Sequence, residues 1–208
     1  MSEFGYIPES PEQSPFNNKG IFTPKDIYDL DSLDKWTPQL GQLELIQTQS
    51  FTGVSSIDFD NLGTGYNMHL FTFHNIHIDD NRDLFIRVKV GGTEQSGASD
   101  YGRALQGCAS GYFYEDRDPD LHSIRAIPEI GSATGECITG YMYMYDALQD
   151  SKMTFFTQQL SAIKYDGKNL NNYGGTSYEI TNAIDGVRFY PNAGNIAGTI
   201  SIYGIKEY

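Results

Sequence analysis

The sequence predicts an all-β fold, an antiparallel β-sandwich or jelly roll preceded by an extended N-terminal arm. Three observations predict this class. From Gln42 onward, apolar residues recur at every second position, as they do in half-buried strands. Clusters rich in Gly, Asn and Asp, such as "DNLGTG", "DDNRD" and "PNAGN", separate these runs. No convincing helical periodicity follows residue 41, so about eight to ten short strands are expected in residues 42–208.

Residues 1–41 have a different composition from the rest of the chain. They hold five of the eight prolines and few aliphatic side chains, so they cannot form a core of their own and are expected to be an attachment arm. Within "TPKDIYDL", Thr23 and Pro24 suit the start of a helix of one or two turns. The apolar residues expected to anchor the arm to a partner are Phe22, Ile27, Tyr28, Leu30 and Trp36.

The alternation also assigns side chains to faces, strand by strand. In "HLFTFHNIHI", residues 69–78, one face is expected to carry Leu70, Thr72, His74, Ile76 and Ile78. In "DLFIRVKV", one face gathers Leu84, Ile86, Val88 and Val90. Residues 141–145, "YMYMY", are apolar on both sides, which predicts a strand covered on both faces. In the last strand, Ile200 and Ile202 are expected to face the core, and the strand closes the domain as half of a hairpin.

The net charge of the chain limits the classes of partner that it is expected to bind. Fourteen basic and 27 acidic residues give a formal net charge of −13, which argues against binding nucleic acid phosphates or an anionic membrane. The N-terminus has no basic and apolar segments of a signal peptide, and the apolar stretches are shorter than the ~20 residues of a membrane span. We therefore expect a soluble product that folds in the cytoplasm and does not insert into membranes.

Histidine and cysteine offer no metal or cofactor site. His74 is expected on the face opposite His69 and His77, and those two would lie about 26 Å apart on one strand, too far to share an ion. Cys108 and Cys137 could pair, but two small buried thiols are the expected arrangement.

The segment "EDRDPDLHS" resembles the opening of a calcium loop. It lacks the glycine and the final acidic residue that such a loop needs, so we expect a solvated acidic turn. No metal ligand is assigned.

Catalytic motifs are also absent: there is no G-x-S-x-G element, phosphate-binding loop or dinucleotide fingerprint, and no catalytic residue is assigned. Tyrosine is the unusual feature, with 15 residues against one tryptophan. Tyrosines beside loops can stack on sugars or fill a protein interface, although many are expected to be ordinary sheet residues. The predicted loops are residues 92–120 and 166–178. The candidate contact residues are Tyr101, Tyr112, Tyr114, Tyr173 and Tyr178.

Two segments resemble virion proteins of tailed bacteriophages, especially those of marine and cyanobacterial hosts. "GGTEQSGASDYGRALQG", residues 91–107, resembles a loop of these proteins, and "IDGVRFYPNAGNIAGTISIYGI", residues 184–205, is similar to their closing hairpin, with the pattern GNIxGTIxxYGI. More loosely, "NNKGIFTPKDIYDL" is similar to the start of such proteins.

The resemblance implies a non-enzymatic virion structural protein, assembled in the host cytoplasm. Its β domain would be a knob, a homotrimer, joined to other virion proteins by the arm, in a tail fibre, collar fibre or receptor-binding component that meets a host surface glycan. A capsid decoration (cement) protein is the alternative within the virion. A carbohydrate-binding module or a small depolymerase, neither of which is a virion structural protein, is the further alternative.

Overall fold

The computed structural model describes residues 13–14, 17–18, 24–25, 28–29 and 43–205. The chain divides into two compact units, Met1–Gly41 with Tyr208, and Gln42–Glu207.

Among its described residues, the first unit contains one short antiparallel pair, β1 (Gln13–Ser14) with β2 (Asn17–Asn18). Residues 24–25 and 28–29 have helical backbone, and the Lys25 ammonium pairs with the Asp29 carboxylate one turn later. Tyr28 is exposed. The other predicted anchors lie outside the described residues: Phe22, Ile27, Leu30 and Trp36.

The predicted antiparallel β-sandwich is confirmed in the second unit, whose thirteen strands exceed the number expected. Their bounds are β3 (Leu43–Val54), β4 (Ile57–Phe59), β5 (Met68–Ile78), β6 (Arg82–Val90), β7 (Thr93–Glu94), β8 (Tyr101–Ala109), β9 (Tyr112–Leu121), β10 (Ile124–Ile130), β11 (Ile138–Tyr145), β12 (Thr154–Ile163), β13 (Asn169–Tyr178), β14 (Gly186–Pro191) and β15 (Ile196–Ile205). One sheet has eight strands in the order β3-β15-β5-β11-β12-β13-β8-β9. The other has five, in the order β10-β6-β14-β4, with β7 paired to β6.

The core lies between the two sheets and contains a cluster of four phenylalanines. Phe71 and Phe73 of the eight-stranded sheet meet Phe189 of the five-stranded sheet, with ring centroids 5.5 and 5.4 Å apart in edge-to-face geometry. Phe59 adds a third edge-to-face contact to Phe189 at 6.0 Å. Such pairs contribute about 0.5–1.5 kcal/mol each beyond the burial of their area. The cluster therefore contributes to the packing of the two sheets against each other.

The alternation predicted for β6 and β15 is confirmed at the core positions. Leu84, Ile86 and Val88 are fully buried, as are Ile200 and Ile202.

Strand β5 departs from its predicted alternation because a β-bulge interrupts it at Asn75. The φ of Asn75 is 51°, and the pairings with both β11 and β15 gain one extra residue on β5 there. A bulge shifts the parity of every side chain that follows it. The predicted division into faces is therefore wrong. The buried side chains are His69, Phe71, Phe73, Ile76 and Ile78, and the opposite face carries His74 and His77.

The predicted closing hairpin is also wrong, because β14 and β15 belong to different sheets. Val187 and Phe189 of β14 are buried in the core from the five-stranded sheet, whereas Ile200 and Ile202 of β15 are buried from the eight-stranded sheet. Strand β14 instead pairs with β4 and β6, and β15 pairs with β3 and β5, so the chain crosses from one sheet to the other between β14 and β15. The connection between them is an arch over the edge of the core.

Asp79 fastens this arch through two hydrogen bonds to Asn195. Its Oδ1 accepts a hydrogen bond from the Asn195 backbone N at 2.7 Å, and its Oδ2 accepts one from Asn195 Nδ2 at 2.9 Å. These bonds hold the pKa of the Asp79 carboxyl below its usual value. Gly194 precedes Asn195 with φ +78°, a conformation that favours glycine. Gly194 and Asn195 thus have a structural role in this turn.

The stretches predicted as long loops, residues 92–120 and 166–178, are mostly strands β8, β9 and β13. "EDRDPDLHS" is likewise not an acidic turn but largely part of β9. These strands escaped prediction because their inward positions carry polar side chains, which hide the apolar alternation: Arg103, Asp116, Asn172 and Thr176.

Candidate binding face of the eight-stranded sheet

Two of the five predicted contact tyrosines are core residues. Tyr101 and Tyr178 are fully buried, with ring centroids 5.3 Å apart. The Tyr101 hydroxyl accepts a hydrogen bond from Val88 N at 3.0 Å and donates one to Gln95 O at 2.9 Å. Burial raises the pKa of both phenols. The prediction that these two tyrosines contact a ligand is therefore wrong, because each ring fills the interior between the sheets.

Tyr112 and Tyr114 lie together on the edge strand β9, with ring centroids 6.2 Å apart. Lys164 Nζ donates a hydrogen bond to the Tyr112 hydroxyl at 2.9 Å and forms an ion pair with Glu129 at 2.7 Å. Glu129 and then Tyr112 raise the pKa of the Lys164 ammonium. These contacts tie Tyr112 at the sheet edge to a neighbouring turn, and Tyr114 packs partly buried against the core, so both have structural roles that the prediction did not foresee.

Tyr173 is the predicted residue that lies on the outward surface of the eight-stranded sheet, the side away from the core. It is 41% exposed, and its hydroxyl donates a hydrogen bond to Gln106 Oε1 at 3.3 Å. On the same surface, called the outer face below, stand aromatic residues of β11 and β12 that were not predicted as contact residues: Tyr141, Tyr143, Tyr145 and Phe155.

The tyrosines of β11 form a ladder on this outer face. Ring centroids are 5.7 Å apart between Tyr141 and Tyr143, and 6.3 Å apart between Tyr143 and Tyr145. Met142 and Met144, between them, are fully buried on the core side. The expectation that "YMYMY" is covered on both faces is therefore wrong for this chain alone, because Tyr141 is 41% exposed.

Two of these tyrosines are tied down by the neighbouring strand. The Tyr141 hydroxyl donates to Gln159 Oε1 at 3.1 Å, and the Tyr145 hydroxyl shares a hydrogen bond with Thr157 Oγ1 at 2.9 Å. A tyrosine whose hydroxyl bonds to the next strand must lean across the sheet, which turns one side of its ring toward solvent. The two hydrogen bonds therefore hold the Tyr141 and Tyr145 rings in place on the outer face.

The outer face carries no charge across its middle. The five central strands, β15, β5, β11, β12 and β13, contain no Asp, Glu, Lys or Arg. The whole chain has 41 charged residues, 14 basic and 27 acidic, so their absence from these five strands is a specific feature of the sheet. Counting charges strand by strand would have revealed it from the sequence, but only once the strand bounds were known.

Among the depressions on this outer face, two are lined by the aromatic residues of β11 and β12. One, of about 540 Å³, is lined by the tyrosine ladder together with Thr157, Gln159 and Tyr173. The other, of about 780 Å³, has a floor of Gly102, Ala104 and Gly175, with Phe155 and Arg117 beside it. Because small residues form its floor, this second depression is open to a flat ligand.

The five-stranded sheet, by contrast, carries a network of compensating charges. Arg188 forms a two-pronged pair with Asp58, at 2.7 and 2.8 Å, and a further bond to Glu94 at 2.6 Å. The Arg188 guanidinium holds the pKa of the Asp58 carboxyl below its usual value. Lys89 pairs with Asp60 beside it. The two sheets thus present chemically different outward surfaces.

Within the described part of the chain, no group of three or more His, Cys, Asp or Glu residues is placed to hold a metal ion. His69 is buried, and its Nε2 bonds to Leu62 O at 2.8 Å. Cys108 and Cys137 are free thiols, and both are half-buried rather than buried. No helix among the described residues has the length and apolar character to cross a membrane.

The chain matches no protein-family model, and a comparison with curated proteins finds no match.

Proposed function

We propose that the chain is a non-enzymatic structural protein of a tailed-bacteriophage virion. The β-sandwich is a knob, assembled as a homotrimer, and residues 1–41 join it to other virion proteins. The knob belongs to a tail fibre, a collar fibre or another receptor-binding component.

The observation that carries this proposal is the outer face of the eight-stranded sheet. Exposed aromatic residues in a contiguous patch are a feature of interaction surfaces. A broad, nearly flat sheet face also suits a binding partner better than a reaction centre, for which an enclosed cleft with convergent polar groups is expected. The division of the chain at Gly41 supports a separate role for the segment before the sandwich. The resemblance of residues 91–107 and 184–205 to virion proteins supplies the viral part of the proposal.

A capsid decoration protein is the second candidate, and one feature favours it. Strand β3 follows residues 1–41 directly and forms an edge of the eight-stranded sheet. Leu43 and Leu45 on this strand are exposed. An exposed edge strand with apolar side chains can pair with a strand of a neighbouring subunit. On a capsid, such pairing would fix the knob to the shell.

The test is incorporation into particles. Phage particles are purified from a host that supplies the full chain, or the chain without residues 1–41, and copy numbers are measured by quantitative mass spectrometry. We expect the full chain in particles at the low copy number of an appendage. The shortened chain is expected to fold, with the circular dichroism of a β protein, but to be absent from particles.

Three results would count against parts of this proposal. Absence of the full chain from purified particles contradicts the virion role. A copy number close to that of the major capsid protein favours the decoration protein. Hydrolysis of host polysaccharide by the purified chain contradicts the non-enzymatic assignment.

A further inference from the structure

We propose that the outer face of the eight-stranded sheet binds an uncharged, hydroxyl-rich glycan, laid across strands β11, β12, β13 and β8. This inference names the ligand of the proposed receptor-binding component, and its biological role rests on that proposed function. The binding itself is a property of the purified chain.

The pairing register of the strands places tyrosine and glutamine side chains next to each other, twice, on this face. Tyr141 of β11 pairs with Gln159 of β12, Gln159 pairs with Tyr173 of β13, and Tyr173 pairs with Gln106 of β8. One row across the sheet therefore alternates tyrosine, glutamine, tyrosine and glutamine. Since adjacent strands are about 4.8 Å apart, the two tyrosines are separated by about 10 Å. That separation is close to the length of a disaccharide.

The hydrogen bonds within the row repeat as well. The Tyr141 hydroxyl donates to Gln159 Oε1, and the Tyr173 hydroxyl donates to Gln106 Oε1, at 3.1 and 3.3 Å. Each bond fixes the amide with its carbonyl toward the phenol, which leaves the Nε2 group of each glutamine as a donor for a ligand. Two identical units, each a tyrosine ring beside an amide donor, match a ligand that is itself a repeating chain.

The chemistry of the units fits a sugar. The less polar side of a pyranose ring packs on an aromatic ring, and the hydroxyls at its rim accept hydrogen bonds from amides. At the β8 end of the row, Gln106 pairs with Glu115 of the edge strand β9, and Glu115 already forms an ion pair with Arg117. Along the rest of the row, strands β11, β12 and β13 contain no Asp, Glu, Lys or Arg and so offer no partner for a carboxylate, sulfate or ammonium group of a ligand. The absence of charge thus selects an uncharged glycan over a charged one.

A second copy of this chain is the competing occupant of the face. Interfaces of permanent homo-oligomers are more apolar than the ordinary surface. The row here consists of amide and phenol groups, with threonine and serine beside it at Thr157 and Ser161. Polar groups of this kind are expected to stay hydrated until a ligand with matching hydroxyls replaces the water. The face is therefore better suited to a glycan than to a permanent protein interface.

The test uses the full chain and defined probes: cellohexaose, maltohexaose and chitohexaose as uncharged glycans, and an alginate hexamer as an anionic one. Binding is measured by isothermal titration calorimetry, and the binding face is located from NMR shifts of side-chain amides. We expect at least one uncharged hexamer to bind and to shift the Gln106 and Gln159 amide signals. Affinity should change less than twofold between 50 and 500 mM salt, because no ion pair is involved.

Two variants and a matched control make the test specific to the row. Tyr173→Ala and Gln159→Ala are each expected to weaken binding by tenfold or more. Tyr165→Ala removes a tyrosine that is 52% exposed but lies in the turn after β12, outside the row, and should bind as the wild type does. Thermal melts of all three check that folding is kept.

Four results would overturn the inference. These are binding to none of the uncharged hexamers, preference for the alginate hexamer, equal effects of Tyr173→Ala and Tyr165→Ala, and a change of oligomeric state in Tyr173→Ala measured by light scattering. In particles, the Tyr173→Ala chain should be incorporated normally while host adsorption falls. Loss of the wild-type chain from particles would count against the proposed function and leave the glycan measurement unaffected.

Discussion

Replacing Asp116 with asparagine should destabilise the sandwich, because it removes a buried charge that pairs with two arginines. Asp116 lies on β9, and its side chain is 6% exposed. Its Oδ1 accepts from Arg103 Nη2 at 2.7 Å, and its Oδ2 accepts from Arg125 Nη2 at 2.9 Å. Because Arg103 belongs to the eight-stranded sheet and Arg125 to the five-stranded sheet, this carboxylate links the two.

The expected cost follows from what Asp116→Asn leaves behind. Arg103, whose side chain is 9% exposed, would lose the carboxylate with which it pairs at 2.7 Å, although Asp118 would stay as an acidic neighbour. Removing one partner of a buried ion pair costs about 3–5 kcal/mol. Arg125 keeps Asp83 at 3.3 Å and is partly solvated, so its share of the loss is smaller. We therefore expect about 3 kcal/mol, which for a domain of this size lowers the melting temperature by about 6–12 °C.

The adjacent residue provides the control. Glu115 and Arg117 form an exposed ion pair at 3.7 Å, so Glu115→Gln should change stability by less than about 0.5 kcal/mol. Both variants are compared with the wild type by urea unfolding and by calorimetry. If Asp116→Asn and Glu115→Gln melt within a degree or two of each other, the buried network does not stabilise the packing of the sheets.

Three further predictions address the core, a close contact and the effect of pH. Ile202→Asp places an unpaired charge in the core at a cost of several kcal/mol, so no soluble folded protein is expected; a soluble variant with a cooperative melt would show that β15 faces the other way. Gly204→Ala would force a methyl group into the Tyr66 ring and should lower the free energy of unfolding in urea by about 1–3 kcal/mol. In the control variant Gly175→Ala, the new methyl group meets only a carbonyl oxygen at 3.6 Å, so the loss should be less than about 0.5 kcal/mol. Equal losses in the two variants would contradict the close contact between Gly204 and Tyr66. Burial lowers the pKa of His69 from 6.5, so below that pH the unfolded chain binds more protons than the folded chain does. The free energy of unfolding should therefore fall as the pH drops through 6.5 toward 5. If the His69→Gln variant shows the same dependence of stability on pH, the dependence belongs to another group.

Sequence alone predicted the fold class and the core faces of the regular strands, for a physical reason. In β6 and β15, aliphatic residues occupy successive inward positions, and burial of that face is the dominant favourable term in folding. The bulge at Asn75 could not be predicted, because it depends on the pairing of β5 with both neighbours. The arch between β14 and β15 was missed because a sharp turn between two strands indicates a hairpin unless the partners of each strand are known.

The candidate binding face could be predicted only in part from the sequence. The tyrosines were recognised as unusual, and Tyr173 was among those proposed for contact. The rows across the sheet depend on register, which brings Tyr141, Gln159, Tyr173 and Gln106 together from four separate segments. Nothing in the sequence distinguishes a tyrosine with buried partners from one that faces solvent, which is why the predicted ligand contact of Tyr101 and Tyr178 is wrong.

A cryo-electron microscopy reconstruction of the particle is the most direct test of the proposed role. The proposal predicts density for the β-sandwich outside the particle body, connected to it through residues 1–41, with the outer face of the eight-stranded sheet turned to solvent. Density that buries Tyr141 and Tyr173 against the capsid or tail, or particles that contain no copy of the chain, would contradict it.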